Sequence, residues 1–259
     1  MWRRGDSVVV RLLPILLGAA AVFDPAPTRA QSSSPDSIFR IYYDKSLYGP
    51  DRTLDEILAN LGIKIKEGYI PGARIEVVKS AYRLLLYSDE RLLKTYRIQL
   101  GTNPRGPKVA VNDGKTPEGV YRICSHVTWP AGEKYYKGLL INYPNEEDIS
   151  RGLKDRLITN AEARTLRADL AAGECHSLLT RLGGDILIHG QHPKVTEMLS
   201  QEQGRSAPPK GLEPGDIDPA SMDTWYNWTL GCIGMANPDI RELYRYVPDG
   251  TPVNIVPGP

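Results

Sequence analysis

Five short segments between Ala73 and Pro144 are rich in Ile, Val, Leu and Tyr. Their sequences are RIEVVKS, YRLLLYS, KTYRIQLG, GVYRICSHV and GLLINYP. Runs of this kind are typical of β-strands, and Ser88-Asp89-Glu90 has the composition of a hairpin turn. DILIHG and TPVNIV add two later short strands, while 24 Gly, 21 Pro and only 2 Phe favour turns over a helical bundle. The sequence therefore predicts a mainly β, sandwich-like domain with a few short helices.

A small helical appendage is predicted before the first strand. In RTLDEILANLG, Thr53 and Glu56 form a capping box, apolar residues occupy one face, and Gly62 ends the helix. We expect residues 31–72 to form this short appendage and residues 73–259 to form the main domain.

Two further helices are predicted later in the chain. One covers about residues 160–171 and begins at a second capping box, Thr159 with Glu162. The other is NPDIRELYRYV, with Asn237 as its expected cap and Pro238 in the first turn.

Residues 1–30 have the pattern of a secretory signal peptide. Arg3 and Arg4 precede an apolar stretch, and the segment finishes with Thr-Arg-Ala, which favours cleavage after Ala30. The apolar stretch is short for a membrane span, although an uncleaved anchor is the alternative. We therefore expect an exported protein. The formal net charge is +1 and no long run of Lys or Arg occurs, so nucleic acid is not an expected partner.

Three cysteines, Cys124, Cys175 and Cys232, have to be interpreted in the light of export. Thiols outside the cytoplasm tend to pair, so one cysteine is left over within a monomer. Three pairings are possible, and a count alone does not choose among them. No Cys-x-x-Cys pair is present, so neither a zinc knuckle nor a dithiol redox site is indicated.

Cys232 and His189 have the surroundings that thiol catalysis requires. A catalytic cysteine needs a base to form the thiolate and backbone N–H groups to hold an oxyanion. Cys232 follows Gly231 and precedes a helix start, whereas His189 ends the apolar run DILIH and precedes Gly190. The alternatives, a hydrogen-bonded structural histidine and an inert packed cysteine, remain open at this point.

Three ordered motifs give the chain a family resemblance. GKTPEGVYRI (114–123), ILIHG (186–190) and WTLGCIGM (228–235) resemble the L,D-transpeptidase catalytic domain, also called the YkuD-type domain. The resemblance extends over about residues 73–256. It implies that family's β-sandwich fold and a reaction that needs no cofactor, metal or nucleotide.

The resemblance also implies roles for individual residues. Cys232 matches the nucleophile, which attacks a peptidoglycan tetrapeptide at its third residue and expels terminal D-alanine. His189 matches the activating histidine, the Gly190 carbonyl would orient its ring, and the Gly231 and Cys232 amides would hold the oxyanion. Transfer of the acyl group to an amine of another stem would cross-link the cell wall. Alternatives are hydrolysis of the same acyl-enzyme, as in an L,D-carboxypeptidase, and a degenerate peptidoglycan-binding module. The implied location is periplasmic or facing the cell wall.

The chain departs from the family pattern in three places. Leu230 stands where the family often has histidine, and Gly234 stands where arginine is common, so a carboxylate contact would need another residue such as Arg241. The two motifs that carry His189 and Cys232 are separated by a proline-rich insertion, residues 193–224, which could be a lid or a surface loop without a role.

Several residues near these motifs are weaker candidates. His192 and Trp228, with Leu230, are possible substrate-binding residues, and Trp225 and Tyr226 could also line a cleft, although packing is the simpler role for the aromatic residues. A zinc site made of His189, His192 and Cys232 is not expected, because the spacing fits poorly and no fourth ligand is evident. The sequence makes no prediction about oligomeric state.

Overall fold

The computed structural model describes residues 52–130, 135–191 and 227–258. Eight strands and four helices occur in these ranges. The strands are β1 (Ala73–Val78), β2 (Arg83–Ser88), β3 (Arg91–Arg97), β4 (Gly119–Thr128), β5 (Lys137–Ile141), β6 (Leu187–His189), β7 (Ile233–Gly234) and β8 (Pro252–Val256). The helices are α1 (Leu54–Leu61), α2 (Glu146–Lys154), α3 (Asn160–Ala172) and α4 (Asn237–Tyr246).

The eight strands form one curled sheet in the order β3-β2-β1-β8-β4-β5-β6-β7. Neighbouring strands are antiparallel except for the β1–β8 and β6–β7 pairs, which are parallel. The curl brings the two ends of this order together: the Gln99 N–H donates to the Gly234 carbonyl at 2.7 Å, and the Gly234 N–H donates back at 2.8 Å. The predicted mainly β fold is confirmed.

One apolar core joins both halves of the sheet. Alternate side chains of β2 and the short strands β6 and β7 contribute fully buried residues, among them Leu84, Leu86, Ile188 and Ile233. Burial of each such side chain stabilises the fold by roughly 1.5–3 kcal/mol. Because β6 and β7 are anchored by this core, the residues at their ends have fixed positions.

Helix α1 packs on the main core. Its predicted capping box and its left-handed Gly62 cap are both present. Leu54 and Leu58 are buried in the same core cluster as the sheet residues, and the Glu242 carboxylate accepts a hydrogen bond from the Leu54 N–H at 3.0 Å. The described part of the appendage is therefore packed against the main domain, and the division of the chain at residue 72 stays a prediction.

The helix predictions were partly wrong. α3 begins at its predicted capping box, but α2, which has its own box of Asn145 and Asp148, was not predicted. Asn237 is not the cap of α4: Ala236 holds the cap position, and the Asn237 side chain instead accepts a hydrogen bond from the Gln191 N–H at 2.9 Å. Because its side-chain oxygen binds the backbone that follows β6, Asn237 does not cap its own helix.

A disulfide joins Cys124 in β4 to Cys175, which lies between α3 and β6. Cys232 is therefore the free cysteine. Closing a loop with a sequence separation of 51 residues is expected to stabilise the fold by about 4 kcal/mol in the chain-entropy account.

Some predictions concern residues outside the described ranges. These are the signal peptide, the start of the appendage, the insertion at residues 193–224, His192, Trp225 and Tyr226. In the described ranges, no helix has both the length and the apolar character needed to cross a membrane.

Candidate active site

The parallel pairing of β6 and β7 brings His189 and Cys232 to one place. His189 is the last residue of β6 and pairs in register with Gly234 in β7, while Cys232 immediately precedes β7. Both residues line a cavity of about 450 Å³. Two residues that are 43 positions apart in the sequence therefore face the same space.

The cavity is mainly apolar and aromatic. Its apolar and aromatic wall consists of Val127, Trp129, Tyr135, Leu140, Leu187 and Trp228, and Leu230 is 71% exposed at its edge. The polar lining residues are Asp185, His189, Thr229 and Cys232. Among the described residues that line the cavity, none is Lys or Arg.

His189 is held in one orientation and kept uncharged. Its Nδ1 lies 2.7 Å from the Gly190 carbonyl oxygen, so Nδ1–H donates there and Nε2 keeps a lone pair. The Tyr135 ring stacks on the imidazole with centroids 4.1 Å apart, and Trp228 meets it edge-on at 5.3 Å. Burial lowers the pKa of His189 to about 4, although the Gly190 carbonyl acts in the opposite direction. The ring is therefore neutral at neutral pH and can accept a proton.

Cys232 is partly exposed, and its sulfur lies at the cavity surface. Its Sγ is 3.6 Å from the Asp185 carbonyl oxygen. Burial raises the pKa of the Cys232 thiol, the Leu187 backbone and the Lys108 charge lower it less, and the Asp185 charge raises it further. In the free protein at neutral pH, the site thus contains a thiol and a neutral imidazole.

The turn before Cys232 depends on a glycine. Gly231 has a φ of 135°, and a Cβ at this position would lie 2.6 Å from the Lys115 carbonyl oxygen. The Thr229 hydroxyl donates to the Cys232 carbonyl at 2.7 Å and accepts from the Gly231 N–H at 3.2 Å. The Gly231 amide, which the resemblance implies as an oxyanion donor, is thus already engaged, and the Cys232 amide remains the candidate.

The first family-like motif, residues 114–123, supports the turn and does not line the cavity. The Lys115 carbonyl packs against Gly231, and the Thr116 hydroxyl accepts from the Gly101 N–H at 3.0 Å. Glu118 pairs at 2.9 Å with the buried Lys79, the residue that follows β1, and this pair fixes the motif to the end of that strand. Its role in the structure is to support the backbone that carries the thiol.

The other predicted residues differ in how they relate to the cavity. Trp228 and Leu230 line it, and their role in substrate binding stays a prediction. Arg241 does not: its Nε donates to the Tyr136 hydroxyl at 3.1 Å. At Gly234 a Cβ would lie 3.2 Å from the Trp228 ring, so the indole lies close to where an arginine side chain would start. His192 lies outside the described residues.

Three polar or aromatic cavity residues outside the family-like motifs were not recognised in the sequence. Trp129 and Tyr135 lie on either side of the β4–β5 connection, which brings them to the cavity, and Asp185 precedes β6. A signal for Asp185 existed, because it directly precedes the ILIHG motif. No group of three or more metal-ligating side chains occurs among residues that the structure describes.

The chain belongs to the YkuD family of L,D-transpeptidase catalytic domains. The sequence model of this family matches residues 72–207 and 212–255. "Putative L,D-transpeptidase YafK" of Escherichia coli K12 is 31% identical over 88 residues, which are 32% of this chain and 35% of that protein. The chain therefore spans about a third of the length of the curated relatives it matches.

Solved structures of this class superpose weakly. The helical cell shape determining protein Pgp2 (K307A mutant) from Campylobacter jejuni gives a TM-score of 0.41 with 20% identity, covering 80% of this chain and 55% of that chain. An L,D-transpeptidase from Xylanimonas cellulosilytica gives 0.36 with 13% identity, covering 85% and 78%. Because these scores are low, the family assignment rests on the sequence match.

Proposed function

We propose that this protein is a peptidoglycan L,D-transpeptidase that uses Cys232 as its nucleophile and His189 as its base. The observation that carries the proposal is that the free thiol and a neutral, oriented imidazole line one cavity at the ends of two paired strands. A Cys–His pair of this kind suits acyl transfer.

The acylation step starts from an uncharged thiol and an uncharged imidazole. The low pKa of His189 and the raised pKa of Cys232 disfavour an ion pair in the resting site. The proton therefore moves from Sγ to Nε2 only as sulfur attacks the peptide carbonyl. The tetrahedral oxyanion is held by backbone N–H groups, with that of Cys232 as the candidate donor. The C–N bond then breaks, and the released D-alanine amine takes the proton from His189. The product is a thioester on Cys232.

The second step removes the acyl group from sulfur. An amine attacks the thioester carbonyl and forms an amide, and the thiol is regenerated. Attack by water would instead give a carboxypeptidase, and both reactions use the same acyl-enzyme. The proposed substrates, peptidoglycan stem peptides, lie outside the cytoplasm, which agrees with the export predicted from residues 1–30. We therefore propose a periplasmic or cell-wall-facing location.

Product analysis tests the proposed function. The purified protein is incubated with a disaccharide-tetrapeptide donor, with and without an amine acceptor, and the products are identified by mass spectrometry. The expected result is D-alanine release together with an amide-linked product that appears only with the acceptor. Release of D-alanine without such a product would indicate a hydrolase, and no release by the folded protein would leave only a binding role. The Cys232→Ala variant is the control and should release none.

A further inference from the structure

We propose that Asp185 binds the ammonium group of the amine acceptor and thereby favours transfer over hydrolysis. This inference rests on the proposed function and deepens it, because it assigns a side chain to the acceptor side of the cavity and selects for acceptor amines that are protonated in solution.

The charge of the cavity lining supports this assignment. Asp185 is the one carboxylate among the described lining residues, and none of those residues is Lys or Arg. Its carboxylate makes no hydrogen bond or ion pair with the part of the chain that the structure describes, and the residue is exposed. A lone carboxylate repels the carboxylates of a donor stem and attracts an ammonium group. It therefore suits the acceptor and not the donor.

The position of Asp185 relative to the sulfur also fits. Its backbone carbonyl oxygen is 3.6 Å from Cys232 Sγ, so an ammonium group held by the same residue is close to the thioester. The Asp185 charge is also near enough to the sulfur to contribute to the raised pKa of the Cys232 thiol. Asp185 has a φ of 52°, a left-handed conformation that Asp and Asn adopt more readily than most residues.

The transfer step consumes one amine and one thioester. The bound ammonium loses one proton to solvent and becomes a nucleophilic amine. Its nitrogen forms a bond to the thioester carbonyl carbon, and the C–S bond breaks. The second proton leaves nitrogen and reaches sulfur by way of His189 Nε2. The products are a secondary amide and the free Cys232 thiol. Asp185 takes no part in these proton transfers and is a binding residue for the acceptor.

The test measures how the acyl-enzyme partitions between amine and water. The full chain and its Asp185→Asn variant are acylated with the tetrapeptide donor and offered either glycinamide, a protonated primary amine, or hydroxylamine, which is uncharged at neutral pH. The ratio of aminolysis product to hydrolysis product is determined by mass spectrometry. Because this is a ratio for each acyl-enzyme formed, a change in the donor step does not affect it.

The expected result is a fall of about tenfold in the ratio with glycinamide and an unchanged ratio with hydroxylamine. The matched control is Asp89→Asn, since Asp89 is exposed, has a φ of 50° and does not line the cavity. As a second measurement on the unsubstituted protein, added salt should lower the glycinamide ratio alone.

Two results would overturn the inference alone. They are an unchanged glycinamide ratio in Asp185→Asn and an equal fall with both acceptors. Failure to form any acyl-enzyme, or an acyl-enzyme of the unsubstituted protein that transfers to neither amine, would instead reject the proposed function itself, and the inference with it.

Discussion

At the residue scale, both reacting groups are uncharged in the free protein. Burial opposes a charge on the imidazole of His189 and on the thiol of Cys232, so it lowers the first pKa and raises the second. The aromatic rings of Tyr135 and Trp228 limit the water that could solvate an imidazolium. The site thus lacks a preformed thiolate–imidazolium pair, and the proton has to move during the reaction.

This protonation state predicts the pH dependence of thiol alkylation. The pKa of Cys232 lies above the ordinary value of 9.0, so the rate of labelling by iodoacetamide should rise about tenfold for each pH unit from about pH 6 to about pH 9. The chain has one free cysteine, so intact mass reports on Cys232 alone. His189→Ala should give the same profile. A rate that reaches a plateau below about pH 7 would contradict the neutral thiol.

At the element scale, helix α1 depends on one carboxylate. Glu242 in α4 accepts hydrogen bonds from the Leu54 N–H at 3.0 Å and the Tyr96 hydroxyl at 3.0 Å, and it pairs with Lys94 at 2.7 Å. It therefore joins the N-terminus of α1, strand β3 and helix α4. The position is also favourable for a negative charge because of the helix dipole.

Replacing Glu242 should weaken the packing of α1 and leave the cavity residues His189 and Cys232 unchanged. We expect Glu242→Ala to lower the free energy of unfolding by about 2–3 kcal/mol, because Lys94 loses its carboxylate and keeps only the Arg52 carbonyl, and the buried Tyr96 hydroxyl loses its acceptor. Urea unfolding monitored by circular dichroism measures this change. Glu90→Ala is the control, since the side chain of Glu90 is 96% exposed in its pair with Arg74, and it should change stability by less than about 0.5 kcal/mol. Equal effects of the two variants would contradict the role of Glu242.

The sequence was sufficient for elements with strong local signals. The strands from β1 to β5 have long apolar runs, and α1 and α3 begin at Thr-x-x-Glu boxes, so both types of element were predicted. Helix α2 was not predicted because its box uses Asn145 and Asp148 and because charged residues dominate its first turn. Asn237 was assigned to the wrong role because its partner, Gln191, is distant in sequence.

The candidate site was predictable only in part, for a related reason. His189 and Cys232 stand in family-like motifs, so they could be named from sequence. Tyr135 reaches the cavity through the pairing of β5, β6 and β7, and no local pattern encodes that pairing. Asp185 adjoins the ILIHG motif, but nothing in the local sequence shows that it faces the cavity. The Cys124–Cys175 disulfide likewise depends on the position of β4 relative to a later loop.

At the scale of the whole molecule, the buried His189 makes stability depend on pH. Its pKa is about 4 in the folded protein and 6.5 ordinarily, so the unfolded chain binds more protons between these values. Stability is therefore complete above about pH 6.5 and falls as the pH drops towards 4, by a total on the order of 3 kcal/mol. Asp239 acts in the opposite direction, because burial raises its pKa to about 6. Its contribution is present at low pH and is lost as the pH rises through about 6.

Urea unfolding at about pH 7 and about pH 5 separates these two contributions. The loss of stability at the lower pH should be smaller in His189→Gln and larger in Asp239→Asn than in the unsubstituted protein. If His189→Gln loses as much stability as the unsubstituted protein, the imidazole is not buried in its neutral form.

Acylation of Cys232 with the help of His189 is tested most directly by the mass of the acyl-enzyme. After incubation with a tetrapeptide donor, intact-mass and peptide mapping should locate on Cys232 an adduct equal to the donor without D-alanine. Cys232→Ala should give no adduct, and His189→Ala should form it at least about a hundredfold more slowly. An adduct on another residue, no adduct on the folded protein, or normal acylation of His189→Ala would contradict the account.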